Sequence, residues 1–195
     1  VSAVTAMAPS AWVTRWGELA PARGRVLDVA CGHGRHARWF AARGHAVDAL
    51  DRNAEALASL SGVINITPLH ADIEGGPWPY APRVYAGVVV TNYLHRALFT
   101  HLLDAVAPGG VLIYETFALG NERYGRPSNP DFLLQPGELL EVVRGRLAVR
   151  AYEDVLLAAP SPARVQRICA LHATDSACAG LTANPPRGSS GTIRG

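Results

Sequence analysis

The chain of 195 residues contains no lysine; all 18 of its basic residues are arginine. Charge is sparse, at 17% of residues, and nearly balanced, with a net +2. So small a balance gives no broad field for a nucleic acid or an anionic membrane, and neither is an expected partner. Cysteine is scarce as well. Cys31, Cys169 and Cys178 are odd in number, and no two stand at zinc-ligand spacing. That excludes a disulfide framework and leaves no metal site to expect. No apolar run approaches the roughly 18 residues of a membrane-spanning helix. Residues 1–8 show neither a basic start nor a long apolar core, so no secretory leader is expected and a cytoplasmic location follows by default. What the chain does have is apolar residues, 49% of the total. They suffice for one globular domain with a sizeable core.

Apolar runs of strand length alternate with helical stretches. Ser10 can cap a helix over Ala11–Leu19. Strands are predicted at Val26–Val29, His45–Leu50, Ile66–Ala71, Tyr85–Thr91 and Val111–Thr116. Helices are predicted between them at Arg35–Ala42, Ala54–Leu60 and Arg96–Val106, with Pro108-Gly109-Gly110 as a turn. This alternation with short links implies a parallel α/β sheet. Past it, residues 118–135 are polar and rich in Gly, Pro and Asn. A helix (Gly137–Val143) and two apolar stretches (Leu147–Leu157, Arg164–Leu171) follow, the latter as a closing strand pair. Residues 9–172 form the expected domain, and 173–195, without periodicity, an expected flexible tail.

The densest signal is Val26-Leu27-Asp28-Val29-Ala30-Cys31-Gly32-His33-Gly34, a strand running into a glycine turn and a helix. Glycine allows the sharp turn and a close backbone approach to a ligand. Gly32-His33-Gly34-Arg35-His36-Ala37 fits the dinucleotide fingerprint, with Asp51 about 20 residues on. Asp28 points elsewhere. A carboxylate beside the turn disfavours an anionic pyrophosphate but suits a cationic ligand carrying an ammonium and a sulfonium, such as S-adenosylmethionine.

On Asp28, Gly32 and Gly34 the sequence resembles the class I methyltransferases, whose first motif is D/E-x-x-x-G-x-G. Pro108-Gly109-Gly110 strengthens the likeness. Cys31 to Arg35 with Gly44 to Asp51 looks like the tellurite-resistance branch of small bacterial methyltransferases. Leu94-His95-Arg96 and the stretches Tyr114–Phe117 and Asn129–Leu134 are compatible with that group. The resemblance implies a Rossmann-like, doubly wound, seven-stranded sheet of order 3-2-1-4-5-7-6, mostly parallel with one antiparallel strand. It also implies S-adenosylmethionine as cofactor and S-adenosylhomocysteine as product.

In such sheets ligands sit beyond the carboxyl ends of the strands. There Asp51 can accept from both ribose hydroxyls, Asp72 from the adenine amino group, and Ile73 can cover the adenine face. Asp28, Ala30, Gly32, His33, Gly34, Arg52 and Asn92 complete the expected cofactor site. Tyr93, His95 and Glu115 are candidates for a general base, and none stands out. Asn121, Arg123, Tyr124 and Arg126 of the 118–135 loop are the expected substrate contacts, with the two arginines suited to an anionic acceptor. Thr91-Asn92-Tyr93-Leu94 lacks the D/N-P-P-Y/F of enzymes that methylate nucleobase amines, so a small-molecule acceptor is expected. The alternatives are an NAD(P)-dependent oxidoreductase using the same turn, a non-catalytic cofactor-binding interaction module, and an RNA methyltransferase.

Overall fold

A computed structural model describes residues 7–174 apart from Arg83. The expected tail therefore lies almost wholly outside the described residues, as does Cys178. The seven strands are β1 (Val26–Val29), β2 (Val47–Asp51), β3 (Ile66–His70), β4 (Tyr85–Thr91), β5 (Val106–Phe117), β6 (Ala148–Leu157) and β7 (Ala163–Leu171). They form one sheet of order β3-β2-β1-β4-β5-β7-β6. Neighbours are parallel from β3 through β5, while β7 runs antiparallel to both β5 and β6. The seven-stranded, mostly parallel α/β sheet with one reversed strand is thus present.

Helices cover both faces, as an all-buried central strand requires. Every residue of β4 is buried. On one face α1 (Ala11–Trp16), α2 (Arg35–Ala41) and α3 (Ala54–Ala58) enclose Val26, Ala49, Val89 and Ile113. In α2 the buried positions are His36, Ala37, Phe40 and Ala41, one stripe at helical spacing. On the other face α4 (Phe99–Ala105) and α5 (Glu138–Val143) pack over Leu27, Val88, Leu112 and Tyr114. Caps are local. The Ser10 hydroxyl accepts from Trp12 N–H, and the Asn53 side chain from Glu55 and Ala56 N–H.

Several boundaries shift by one or two residues, the helix expected from Arg96 opens as a 3-10 turn over Arg96–Leu98, and two further differences have a clear cause. The first helix stays α-helical only to Trp16, and Gly17–Leu19 tighten into a 3-10 turn. Pro108-Gly109-Gly110 is no turn before a strand but a bulge inside β5. Tyr85 pairs with Val106 while Gly87 pairs with Val111. Glycine makes this possible, because a Cβ on Gly110 would come within 2.8 Å of the carbonyl oxygens of Ala107 and Tyr85. The preceding helix accordingly stops at Ala105. No helix among the described residues is long and apolar enough to cross a membrane.

Candidate active site

Strand order reverses direction between β1 and β4, and a crevice opens beyond their carboxyl ends at such a switch point. A cavity of about 360 Å³ lies there, within the usual size range of small-molecule sites. Its β2–β3 side carries Asp51, Arg52, Asp72, Ile73 and Glu74; its β4–β5 side carries Asn92, Tyr93, Thr116, Phe117, Pro127 and Phe132.

Two lining residues next to the switch point hold left-handed backbone without being glycine. Ala30, just past β1, has φ 52°, and Asn92, just past β4, has φ 55°. Asparagine tolerates this region, whereas alanine there costs about 1–2 kcal/mol. Strain of this kind persists where the surroundings force it, commonly at ligand sites.

Asp51 is half-exposed at the end of β2. Its two oxygens accept from the backbone N–H of Gly32 (2.7 Å) and of Asn53 (2.8 Å). It thereby latches the glycine turn to the second strand. A carboxylate has about four acceptor positions, so Asp51 can still take two hydroxyl donors. Asp72 is exposed just past β3. One of its oxygens accepts from Glu74 and Gly75 N–H, which hold the carboxyl below its usual range and keep it ionised. The buried Ile73 side chain adds an apolar wall. Arg52 and Glu74 approach to 3.9 Å across the rim.

The two turn glycines serve different ends. A Cβ on Gly34 would lie 2.6 Å from the Leu60 side chain, so this glycine lets the turn pack against Leu60, just past α3. A Cβ on Gly32 would meet nothing within 4 Å, and its φ of 54° is what demands glycine. Neither glycine lines the cavity, and neither does the exposed His33 between them.

Asp28 lies beneath the turn rather than at the cavity wall. It is buried, one oxygen accepts from Ala37 N–H (2.9 Å), and the other oxygen has no partner. Burial pushes its carboxyl up to about 7. His36, one residue before Ala37 and absent from the sequence expectations, is also buried. The ring Nε2 accepts from Ser10 N–H (3.1 Å), and burial pushes its pKa down to about 3, so the ring is neutral.

Of the three base candidates, the structure brings only Tyr93 to the cavity. Its hydroxyl is buried beside Glu74, and burial together with that carboxylate raises its pKa. His95 stands before a 3-10 turn and does not line the cavity. Glu115 faces the opposite side of the sheet. It accepts from Ser10 Oγ (2.7 Å) and Arg167 (3.2 Å), tying α1 to β7, and is a structural anchor.

The 118–135 loop reaches the cavity through residues other than those expected. Asn121 is buried, donates to Pro127 O and accepts from Arg164 N–H, so it shapes the loop. Arg123, Tyr124 and Arg126 are exposed and outside the cavity walls, because the loop turns them to solvent. Pro127 and Phe132 line it instead. His45 is buried, with Nδ1 2.8 Å from Gly24 O.

Residues 26–110 match the family model described as a methyltransferase domain. No curated protein matches the chain by sequence. Solved structures share the fold at low identity. An S-adenosylmethionine-dependent methyltransferase from Mesorhizobium loti is 17% identical with TM-score 0.64, over 84% of this chain and 99% of that one. TehB from Haemophilus influenzae is 19% identical with TM-score 0.67, over 83% and 61%. Geranyl diphosphate C-methyltransferase from Streptomyces coelicolor, solved with S-adenosyl-L-homocysteine, is 14% identical with TM-score 0.62, over 83% and 77%. The fold is that of S-adenosylmethionine-dependent methyltransferases. The matched residues 26–110 hold the glycine turn, Asp51, Asp72 and Asn92.

Proposed function

We propose that the protein transfers the methyl group of S-adenosylmethionine to a small-molecule acceptor by in-line displacement. The cofactor, when bound, supplies an activated methyl whose bond to sulfur breaks, sulfur keeping the electron pair, as the acceptor's lone pair bonds to carbon. The chain's own residues bind and orient. Asp51 accepts from the ribose hydroxyls through the positions its two backbone bonds leave open. Asp72 offers its unbonded oxygen to the adenine amino group, and Ile73 covers the ring. Ala30, Gly32, His33 and Gly34 shape the turn alongside, Arg52 closes the rim, and Asn92 borders the reacting end. Asp28 acts from beneath, holding the first turn of α2. A base is needed only where the acceptor must lose a proton, and of the candidates Tyr93 is the one at the cavity.

The observation that carries this reading is Asp51, an ionisable group fixed at a cavity on the switch point and latched to the glycine turn. Calorimetric titration with S-adenosylhomocysteine tests it. Wild type should bind at micromolar Kd, and Asp51→Ala should lose tenfold or more, roughly 1.4 kcal/mol. Binding of NADH in place of S-adenosylhomocysteine would overturn the reading in favour of a nicotinamide-dependent oxidoreductase.

A further inference from the structure

We infer that the methyl acceptor has an uncharged, aromatic body that seats against Phe117 and Phe132, and that Phe132 is the residue selecting it. The inference rests on the methyltransferase reading. Its starting point is the division of charge in the cavity. Every ionised lining group, Asp51, Arg52, Asp72 and Glu74, belongs to the β2–β3 side. Asn92, Tyr93, Thr116, Phe117, Pro127 and Phe132 on the β4–β5 side carry no charge. Among the described residues the one lining cation is Arg52, and it already faces Glu74. An anionic acceptor on the β4–β5 side would lose water and meet no counter-charge, a costly transfer. An uncharged ring would lose little and gain aromatic contacts.

Phe132 is built for this place. It is 52% exposed and lines the cavity. Exposure does not come from slack. Arg96 donates to the carbonyl oxygens of both flanking residues, Asp131 (2.7 Å) and Leu133 (2.9 Å). The same guanidinium grips both oxygens of Glu138 (2.7 and 2.9 Å). Asn129 Oδ1 accepts from Asp131 N–H, and Leu133 and Leu134 are fully buried just beyond. A half-exposed ring on a backbone fixed from both sides is a preorganised contact, with little ordering cost left for binding. Tyr93 adds a further aromatic ring to the same wall, its hydroxyl buried beside Glu74.

The test uses indole as the uncharged aromatic probe, indole-3-carboxylate as the same ring with a charge, and tellurite as an oxyanion. Each is titrated into protein saturated with S-adenosylhomocysteine. Indole should bind at least tenfold tighter than either anion. Phe132→Ala should weaken indole fivefold or more while S-adenosylhomocysteine affinity stays within twofold, and Phe117→Leu should weaken indole similarly. Arg96→Gln, a positioning change, should lower indole affinity less and also spare the cofactor product. Anions binding as tightly as indole, or indole binding indifferent to Phe132→Ala, would overturn the inference while S-adenosylhomocysteine binding upheld the methyltransferase reading. Loss of S-adenosylhomocysteine binding in wild type would overturn both.

Discussion

The two sides of the cavity are held by bonds of different reach. On the β2–β3 side, Asp51 bonds to Asn53 two residues away and to Gly32 nineteen away, and Asp72 bonds to Glu74 and Gly75. On the β4–β5 side, Arg96 reaches 35, 37 and 42 residues along the chain to fix Phe132, and Asn121 reaches 43 to Arg164. The first side is a set of turns closed by their own side chains, with one latch between adjacent strands. The second is an assembly of a loop, a helix and a distant strand. Local turns can be carried from one chemistry to another unchanged, whereas an assembled wall can vary with the acceptor.

Gly34 and Gly32 give the largest contrast, because two glycines of one local turn answer to different parts of the molecule. Gly34→Ala must adopt left-handed backbone and push Leu60 aside, at a combined cost of roughly 2–5 kcal/mol. Gly32→Ala faces open space and pays only the backbone term, about 1–2 kcal/mol. Urea unfolding should rank them in that order. Calorimetry should show Gly32→Ala losing more S-adenosylhomocysteine affinity than its stability loss suggests. Equal stability losses would mean that Leu60 yields and that the packing role of Gly34 is slight.

Arg96→Ala comes next. It frees two loop carbonyls and leaves Glu138, largely buried, without its ionic partner. A destabilisation of about 1–3 kcal/mol is expected. Proteolytic nicking within 118–135 should quicken, with S-adenosylhomocysteine affinity held within twofold. A large fall in that affinity would show that the two sides are not independent.

This difference in reach also explains what could be foreseen from the chain. Alternating apolar runs and caps place most strands within a residue or two, and Asp51 and Asp72 stand at strand ends where the pattern itself puts them. The strand order came with the family resemblance, not with the pattern. Phe132 and Pro127 had no such marker. Their segment is marked by composition as a functional loop, but which side chains turn inward depends on Arg96 and Asn121 gripping backbone far away. Charge drew the eye to Arg123 and Arg126, and the loop turns both to solvent. Glu115 misled for a related reason. It ends an apolar strand like the others, yet strand alternation points it to the face where Ser10 and Arg167 wait.

Asp28 and His36 give a smaller effect, read as a pH slope. The Asp28 carboxyl, raised to about 7 by burial, binds more protons folded than unfolded between about pH 4 and 7, taking an ordinary unfolded value. It therefore subtracts stability as pH rises through that window. His36, lowered to about 3 by burial and Arg35, binds fewer protons folded than unfolded between about 3 and 6.5. It loses stability as pH falls through nearly the same range. The two oppose each other, which leaves wild type flatter than either group alone. Thermal melts from pH 4 to 8 should show Asp28→Asn with stability rising more steeply with pH than wild type, and His36→Gln with stability falling. Parallel curves for all three would mean that neither group titrates with folding.

The smallest expected effect belongs to the double change Arg123→Ala/Arg126→Ala. Both side chains are exposed and outside the cavity, so stability should move by no more than about 0.5 kcal/mol. Cofactor KM and kcat should be unchanged, and acceptor KM should shift by less than about twofold once an acceptor is in hand. A tenfold rise in acceptor KM with cofactor KM unmoved would place a negative group of the acceptor on this loop. The loop would then have to fold inward on binding, against the grip of Arg96 and Asn121. The β4–β5 side would cease to be a fixed apolar wall, and the uncharged acceptor would go with it. A null result is informative for the same reason, since the loop's charges would then act on nothing within the cavity. Phe132 and Pro127 would remain as its contribution to the site.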